Sequence, residues 1–359
     1  MKTDFGTVRI VGAGLLGTSL GLALSKLGVD VAITSHSQKS IDLAVQYGAG
    51  RAVLESDNPS LVVVCVPPAK TAAIVAAELK LFTNAIVTDV ASVKASVLDE
   101  LMSLGADLTR YVGSHPMAGR ERGGAIAGRA DLFVGRPWVL CPTVNSSANA
   151  IELVGSIANA VGAATVTVSA SEHDRAVALV SHVPQLISSL LAARLTAAEQ
   201  SDISLAGQGL RDTTRIAASD PSLWLQILQA NEPEVLKVLR LFEADLQGLI
   251  SAIESGVEAK AAQQIEKVLE AGNSGVARIP GKHGGKHTEY AQVVVMIDDK
   301  PGELARLLTE VGLIGVNLEE LKLEHSPSAQ IGLVELYVVP TAEEKLIDDL
   351  VARGWRIAG

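Results

Sequence analysis

Two polar side chains of this 359-residue sequence follow strand-like apolar runs and could handle a proton. Ser92 stands shortly after the run 85–88, and His115 follows the run 111–113. Neighbouring parallel strands end at one edge of a sheet, so the two side chains are expected to lie close together. Histidine exchanges a proton near neutral pH, and a serine hydroxyl can orient it or bind a substrate hydroxyl. We therefore predict acid–base chemistry at His115, with Glu121 as a further pocket residue.

A glycine-rich turn near the start of the chain predicts a dinucleotide site. Gly12, Gly14 and Gly17 form a G-x-G-x-x-G pattern between the strand-like run 8–11 and the helical run 15–27. The glycines permit a tight turn, a close approach of pyrophosphate to backbone, and close packing of helix on strand. The free N–H groups at the start of the helix attract phosphate. We predict that this turn binds a nicotinamide dinucleotide.

The second strand, predicted at 31–34, ends without the carboxylate that usually holds the adenosine ribose of NAD. Ser35, Ser37 and Lys39 stand there instead. Hydroxyls and an ammonium group suit a 2′-phosphate, which favours NADP over NAD, although Lys39 is equally consistent with an ordinary exposed lysine. The cofactor-binding residues predicted along this edge are Gly12, Gly14, Leu15, Leu16, Gly17, Ser35, Ser37, Lys39, Val66 and Pro67.

The pattern of apolar residues divides the chain into three domains. Strands and helices alternate over 1–170 and predict an α/β Rossmann domain with a parallel sheet covered on both faces. The Ala- and Leu-rich stretch 171–272 predicts an all-helical second domain. The Gly- and Lys-rich segment 273–288 predicts a linker, and 289–359 predicts a small α+β domain. The predicted strands are 8–11, 31–34, 61–66, 85–88, 111–113, 291–297 and 331–339.

Two polar stripes cross the helical stretch, and their apolar neighbours favour a pocket over solvent-exposed helix faces. At 3.6 residues per turn, the first stripe contains Arg175, His182, Gln185 and Ser189. The second contains Gln208, Arg211, Asp212, Arg215 and Ser219, and Trp224 follows it. Arg211 and Arg215 lie one turn apart and indicate a substrate with carboxylates, because a guanidinium binds them bidentately. Asp212 is expected to hold an arginine in place.

Composition excludes several classes of protein. The net charge of −10 repels nucleic acid, and an aromatic content of 3% offers little surface for base stacking. Cys65 and Cys141 show no ligand spacing and predict reduced thiols. His173 and His182 are nine residues apart, which predicts opposite helix faces and no shared metal. Residues 1–23 outline a signal peptide, but glycines and hydroxyls interrupt them.

No stretch of the sequence reaches the roughly 20 uninterrupted apolar residues that span a bilayer. We therefore expect a cytoplasmic protein with no membrane segment. The apolar surface of the alanine-rich helical stretch predicts a homodimer.

Five motifs together resemble those of the prephenate/arogenate dehydrogenase family of tyrosine biosynthesis. They are GAGLLGTSLG at 12–21, TDVASVK at 88–94, GSHPMAG at 113–119, EHDR with SHVP at 172–184, and RDTTRIA at 211–217. They stand in the order of the family and span nearly the whole chain. The C-terminal motifs DKPGELA at 299–305 and GVNLEEL at 315–321 resemble an ACT domain, which in this family typically binds an amino acid regulator or mediates subunit contact.

The resemblance implies oxidative decarboxylation of a cyclohexadienol that bears a ring carboxylate. Hydride leaves the carbinol carbon for the nicotinamide, carbon dioxide departs and the ring becomes aromatic. His115 would take up the proton of the ring hydroxyl, with Ser92 supporting His115 or the hydroxyl. Arg215 matches the carboxylate-binding arginine of the family, and His182 and Arg211 would complete the pocket.

Several alternatives stay open at this level. Gln185 offers no carboxylate for the amino group of arogenate, which favours prephenate over arogenate. A 3-hydroxyacid dehydrogenase would use a lysine base in the helical domain, but 171–219 contains no lysine. A non-catalytic nucleotide sensor is disfavoured by His115 and Arg215. For the ACT-like domain we expect tyrosine as effector, or else a purely structural role. The residues predicted to contact the effector are Gly315, Val316 and Asn317.

Overall fold

The computed structural model forms two compact units, Met1–Leu246 and Gln247–Gly359, which divide within one helix. The residues that it describes are 5–120, 123–256, 259–280, 290–325 and 331–358.

The first unit is built on an eight-stranded sheet with the order β3-β2-β1-β4-β5-β6-β7-β8. Its strands are β1 (Thr7–Val11), β2 (Asp30–Thr34), β3 (Arg51–Ala52), β4 (Leu61–Val64), β5 (Ile86–Asp89), β6 (Tyr111–Pro116), β7 (Pro137–Pro142) and β8 (Ala164–Thr167). The five strands predicted here are confirmed with small differences at their ends. The sequence did not predict β3, β7 or β8. Of these, β3 has only two residues and β8 is exposed throughout, so neither has the apolar run of a buried strand.

The expectation of an entirely parallel sheet is wrong at one pair. β7 runs antiparallel to β6, while the other neighbours in this sheet are parallel. Parallel neighbours need a crossover connection, usually a helix. In the described part of the connection between β6 and β7, the regular structure is a single 3-10 turn, Ala125–Ala127, so the chain returns in the opposite direction.

Helices cover both faces of this sheet, as predicted. They are α1 (Leu15–Lys26), α2 (Gln38–Gln46), α3 (Pro68–Leu81), α4 (Ala95–Ser103) and α5 (Ala148–Ala160). The buried strand β4 alternates its side chains between the two sides. Leu61 and Val63 enter one hydrophobic core, and Val62 and Val64 enter the other. This period of two is how a strand serves two helix layers at once.

A run of helices follows the sheet, which confirms the predicted helical region. It comprises α6 (Ala170–Val177), a π-helical segment (Ala178–His182), α7 (Val183–Arg194), α8 (Gln200–Ile203), α9 (Gln208–Thr214), α10 (Pro221–Ala230) and α11 (Glu232–Glu254). By length and composition alone, the continuous stretch Ala170–Ala197 could cross a membrane. Core helices of globular proteins have the same properties, and this stretch carries the buried polar residues His173, Asp174 and His182.

The second unit contains a four-stranded antiparallel sheet with the order β10-β11-β9-β12. Its elements are α12 (Ala259–Val276), β9 (Ala291–Asp298), α13 (Glu303–Ile314), β10 (Glu320–His325), β11 (Ile331–Val338), α14 (Glu343–Ala352) and β12 (Arg356–Ala358). From β9 onward the order is β-α-β-β-α-β, the arrangement of ferredoxin-like units. Val295, Leu307 and Leu336 lie in its core. The sequence predicted two of these strands.

The predicted start of the linker at residue 273 is wrong. Helix α12 continues to Val276, past Gly272 and Gly275. A glycine inside a helix costs only about 1 kcal/mol relative to alanine, which a helix of this length tolerates. Residues 281–288 of the predicted linker lie outside the described residues.

Candidate active site

The glycine turn places a helix N-terminus beside open space. Gly12 has a φ of +118°, and a Cβ at this position would lie 2.2 Å from the carbonyl oxygen of Cys65. A Cβ at Gly17 would lie 1.9 Å from the carbonyl oxygen of Gly12. Apart from Gly14 and its two chain neighbours, no heavy atom in the described part of the chain lies within 4 Å of a Cβ built on Gly14. The first and third glycines are therefore required for close packing, and the second leaves room for a ligand's phosphates beside the start of α1.

The end of β2 carries the predicted hydroxyls and lysine in accessible positions. Lys39 is exposed in the first turn of α2. The hydroxyl oxygen of Ser37 accepts a hydrogen bond from the backbone N–H of Ser40 at 3.3 Å and so caps α2. Asp30, the acid of this strand, lies at its opposite end and pairs with Arg51. At the carboxyl end of β2, where the adenosine ribose of NAD is usually held, residues 34–40 therefore include no carboxylate.

The central feature of the site is a chain of three side chains. His115 extends from β6, and its Nδ1 lies 2.8 Å from Nε2 of His173 in α6. Nδ1 of His173 lies 2.7 Å from Oδ1 of Asp174. The backbone N–H groups of Lys94 and Ala95 donate to the Asp174 carboxylate at 2.9 and 2.8 Å. We call His115, His173 and Asp174 the histidine chain; it is anchored to the start of α4.

The partner of His115 differs from the one that the sequence predicted. Ser92 lies half-buried in the loop between β5 and α4, but the orienting nitrogen of His115 contacts His173. The prediction that Ser92 orients His115 is therefore wrong in this structure. Its second predicted role, binding the substrate hydroxyl, stays a prediction. The dipeptide His173-Asp174 was visible in the sequence, but its distance from His115 along the chain hid the contact.

The expectation that His173 and His182 occupy opposite helix faces is also wrong. Both rings are buried, with 1% of each residue exposed. The intervening segment Ala178–His182 is π-helical, so each turn holds more than 3.6 residues and the later positions rotate. One amide joins the two segments. Nδ2 of Asn231 donates to the backbone oxygen of Asp174 at 2.8 Å and lies 3.1 Å from Nδ1 of His182.

Burial makes both pocket histidines weak bases. It lowers the pKa of His115 well below its ordinary value, and the neighbouring His173, Lys94 and His182 add to the effect. Burial also lowers the pKa of His182 to about 4. Both rings are therefore neutral near pH 7, which leaves a nitrogen lone pair on His115 free to accept a proton.

A buried ion pair that the sequence interpretation missed lies next to the histidine chain. The Lys94 ammonium donates to the Asp89 carboxylate, and the two residues are 1% and 0% exposed. The hydroxyl of Tyr111 donates to the other carboxylate oxygen at 2.7 Å. The spacing of Asp89 and Lys94 around Ser92 was the available clue. In the described part of the chain, no three His, Cys, Asp or Glu side chains are grouped to hold a metal ion.

The two polar stripes meet at one point. Oγ of Ser219 lies 3.5 Å from Oε1 of Gln185, which is 6% exposed. The ring of Trp224 meets the ring of His182 edge-on, with 6.0 Å between centroids. From His182 onward the stripe predicted on α6 and α7 is buried or half-buried, whereas Arg175 is exposed, and the pocket that it was predicted to face stays a prediction.

The arginine stripe lies on the surface in this structure. Arg211 and Arg215 are exposed, in α9 and the 3-10 turn after it. Asp212 accepts a hydrogen bond from the Gln208 side chain at 2.8 Å, and its predicted contact with an arginine is not the one formed. Glu121 lies outside the described residues.

Comparison with known proteins assigns the family. Residues 20–167 match the nucleotide-binding domain of prephenate dehydrogenase, and residues 169–270 match its dimerization domain. The chain is 36% identical over 97% of its length to a probable prephenate dehydrogenase, NovF, of Streptomyces niveus, 98% of which is covered. It is 34% identical over 70% of its length to the cyclohexadienyl dehydrogenase of Zymomonas mobilis, 90% of which is covered.

A solved structure agrees with these sequence matches. Prephenate dehydrogenase from A. aeolicus, crystallised with hydroxyphenyl propionate and NAD⁺, aligns with a TM-score of 0.67 and 27% identity. The alignment covers 77% of this chain and all of that chain. The arogenate dehydrogenase of Synechocystis aligns with a TM-score of 0.63 and 26% identity, over 75% of this chain and 98% of its own. This chain therefore belongs to the prephenate dehydrogenase family of nicotinamide-dependent oxidoreductases.

Proposed function

We propose that this chain catalyses the oxidative decarboxylation of prephenate to 4-hydroxyphenylpyruvate with a nicotinamide dinucleotide. The observation that carries the proposal is the histidine chain at the carboxyl end of β6, in which His115 is neutral near pH 7, in the same sheet as the glycine turn after β1. In a sheet of this kind, ligands bind beyond the carboxyl ends of the strands. A cofactor on the glycine turn and a substrate at His115 would share that edge.

The reaction needs one proton acceptor and alignment of the substrate. The bound dinucleotide supplies the hydride acceptor at the carbinol carbon. Nε2 of His115 accepts the proton of the ring hydroxyl as the carbon–hydrogen bond breaks. The ring carboxylate then leaves as carbon dioxide, and its bonding electrons make the ring aromatic. His115 returns its proton to the phenol oxygen, so the step is balanced without any further acid or base.

The remaining site residues are assigned to substrate binding. Prephenate carries two carboxylates, which suit Arg215 and Arg211 as bidentate partners. His182 and Gln185 line the buried side of the pocket, and Ser92 would hold the ring hydroxyl. Asp212 and Glu121 complete the predicted set: Glu121 would shape the pocket, and Asp212 would lie beside the arginines while it accepts a hydrogen bond from Gln208.

The choice of substrate is tested by initial rates with purified protein. We expect reduced cofactor to form faster with prephenate than with arogenate, because neutral Gln185 gives no partner to the amino group of arogenate. The relative from Synechocystis, an arogenate dehydrogenase, makes arogenate the second candidate. A higher kcat/KM with arogenate would replace prephenate by arogenate, and no rate with either compound would contradict the proposal.

We propose NADP as the preferred cofactor, because the accessible residues Ser35, Ser37 and Lys39 follow the carboxyl end of β2 and would suit a 2′-phosphate, and none of the described residues 34–40 is a carboxylate. The A. aeolicus relative was crystallised with NAD⁺, so NAD is the alternative. Steady-state kcat/KM with each cofactor at saturating prephenate decides between them. A ratio above one for NADP over NAD supports the assignment.

We also propose that the β-α-β-β-α-β part of the second unit is an ACT domain that binds tyrosine. Gly315 ends α13 with a φ of +79°, and Asn317 follows two residues later. Calorimetric titration with tyrosine, on the wild type and on Asn317→Ala, tests this. Weaker binding by the variant supports the site, and no binding by the wild type leaves a structural role for the domain.

The enzyme is proposed to work as a cytoplasmic homodimer. The chain contains the family's dimerization domain, and Leu241 and Phe242 of α11 are 69% and 41% exposed in the single chain. Large exposed apolar side chains on one helix are typical of a subunit interface. Light scattering after size exclusion should give twice the mass of one chain, and a stable monomer would contradict the assignment.

A further inference from the structure

Asp174, which ends the histidine chain, acts only as a hydrogen-bond acceptor. Both oxygens of Asp174 already accept hydrogen bonds from backbone N–H groups, of Lys94 and Ala95, at the start of α4. A carboxylate whose two oxygens already receive N–H donors acts as an acceptor toward its remaining neighbour as well. The nitrogen that contacts it, Nδ1 of His173, must therefore carry a proton.

The proton on Nδ1 of His173 determines which nitrogen of His115 is protonated. A neutral imidazole has one protonated nitrogen and one lone pair. In the neutral form of His173 that donates from Nδ1, Nε2 carries the lone pair, so Nδ1 of His115 donates across the 2.8 Å contact. The free nitrogen of His115, Nε2, is then left with a lone pair. This is the tautomer that a proton acceptor requires.

The tautomer of His182 is the opposite of that of His115. The backbone oxygen of Asp174 can only accept, so the atom 2.8 Å away is the amide nitrogen of Asn231. The other hydrogen of this NH₂ group points to Nδ1 of His182, which lies 3.1 Å away and must accept. His182 then carries its own proton on Nε2 and presents a donor.

We propose that Asp174, through His173 and Asn231, is the positioning residue that fixes His115 as a proton acceptor and His182 as a hydrogen-bond donor. Its side chain sets one ring and its backbone oxygen sets the other. The inference rests on the proposed function for its catalytic meaning, although the two tautomers are a property of the free protein. One residue would thus give two similar rings opposite tasks toward the same substrate.

The surrounding charges are consistent with neutral rings. The groups that act on His115 are His173, Lys94 and His182, and each of them opposes a positive charge on its ring. The groups that act on His182 are Asp174, which favours a positive charge, and His173, which opposes it. Burial outweighs these interactions in both cases, and it lowers the pKa of both rings.

Nitrogen-15 NMR of protein labelled at its histidines tests the assignment directly, without substrate. Nδ1 of His115 should appear as a protonated nitrogen and Nε2 as an unprotonated one, with the reverse for His182. Substitutions at the individual histidines assign the signals. In His173→Leu, the His115 signals should shift toward a mixture of both tautomers, whereas Ala176→Gln, an exposed position on α6, should leave them unchanged.

A kinetic test separates positioning from simple structural support. His173→Leu should lower kcat about 100-fold, within the range of general acid–base contributions. His173→Gln keeps an oxygen that can accept from Nδ1 of His115, so kcat should recover to within about tenfold of the wild type. Thermal unfolding of both variants checks that they fold alike. A kcat loss of equal size in both variants would overturn the positioning role.

The outcomes keep this inference distinct from the proposed function. A protonated Nε2 on His115, or a His173 ring with two protons, would overturn the inference whatever the activity. The expected tautomers together with no turnover of prephenate or arogenate would support the inference and contradict only the substrate assignment.

Discussion

The glycine turn and the histidine chain lie along the same sheet but work in opposite ways. At the turn, the backbone performs the task and side chains are excluded: a Cβ on Gly12 would overlap the carbonyl oxygen of Cys65. In the histidine chain the side chains perform the task, and the backbone serves as a fixed anchor for Asp174. The turn thus depends on backbone shape and backbone N–H groups, whereas the histidine chain depends on which side-chain nitrogen carries a proton.

This difference predicts that substitutions in the two regions change different properties of the protein. Changes at the turn should act on stability or on cofactor affinity, because they alter close packing. Changes in the histidine chain should act on turnover, because the rings can be replaced by other side chains of similar volume. The following substitutions test that division in order of decreasing effect.

The largest effect is expected at His115. His115→Asn removes the proton acceptor and should lower kcat by about 10³-fold, within the range observed for general bases. The dissociation constant of the cofactor, measured by fluorescence titration, should stay within about twofold because the turn is untouched. Near-normal turnover of this variant would show that another group takes the proton.

The two glycines at the turn should behave differently from each other. Gly12→Ala should destabilise the fold by about 3 kcal/mol, because the methyl group meets backbone atoms that cannot move aside. Gly14→Ala should change stability by less than about 1 kcal/mol, since its φ of −89° suits alanine and its Cβ meets open space. Cofactor affinity of Gly14→Ala should nevertheless fall. Urea unfolding and cofactor titration of both variants measure these effects, and equal loss of stability in the two would contradict the division of roles.

Acid should destabilise the protein through its buried histidines. The pKa of His182 is about 4 in the folded protein and about 6.5 when unfolded, so the unfolded chain binds the proton first. The contribution of His182 to the free energy of unfolding is fully present above about pH 6.5. About 3 kcal/mol of it is lost as the pH falls toward 4. His115 contributes in the same direction. Urea unfolding across this range should show a shallower pH dependence for His182→Gln, and an identical dependence would contradict the assignment.

A smaller effect is expected at the arginine stripe. Arg215→Ala should raise the KM for prephenate about 20-fold with little change in kcat, because a charge-assisted hydrogen bond contributes about 1.5–3 kcal/mol. Arg211→Ala should raise KM less. If Arg211→Ala had the larger effect on KM, the roles of the two arginines would be exchanged.

The smallest effect is expected at Lys39. Lys39→Ala should lower the preference for NADP over NAD about fivefold, because an exposed ion pair contributes up to about 1 kcal/mol. Gln38→Ala, at the neighbouring exposed position, is the matched control. An unchanged cofactor ratio in Lys39→Ala would make this residue an ordinary surface lysine.

The sequence revealed most where the structure is local. The glycine turn is six consecutive residues between a strand and a helix, and spacing alone predicts it. The direction of β7 and the contact between His115 and His173 depend on how distant segments of the chain meet. The spacing of apolar residues within one segment therefore cannot predict them. The relative positions of His173 and His182 were predicted wrongly for another reason: a period of 3.6 residues assumes an unbroken α-helix, and a π-helical segment lies between them. The position of His115 at a strand end was predicted, but its partner was not.

The central claim is that this chain oxidises and decarboxylates prephenate in one coupled reaction. Prephenate labelled at its ring carboxylate, incubated with wild-type protein and excess cofactor, tests it most directly. We predict one labelled carbon dioxide released for each reduced cofactor formed, at a common rate that His115→Asn lowers for both products. Reduced cofactor without carbon dioxide, or neither product, would contradict this assignment of activity.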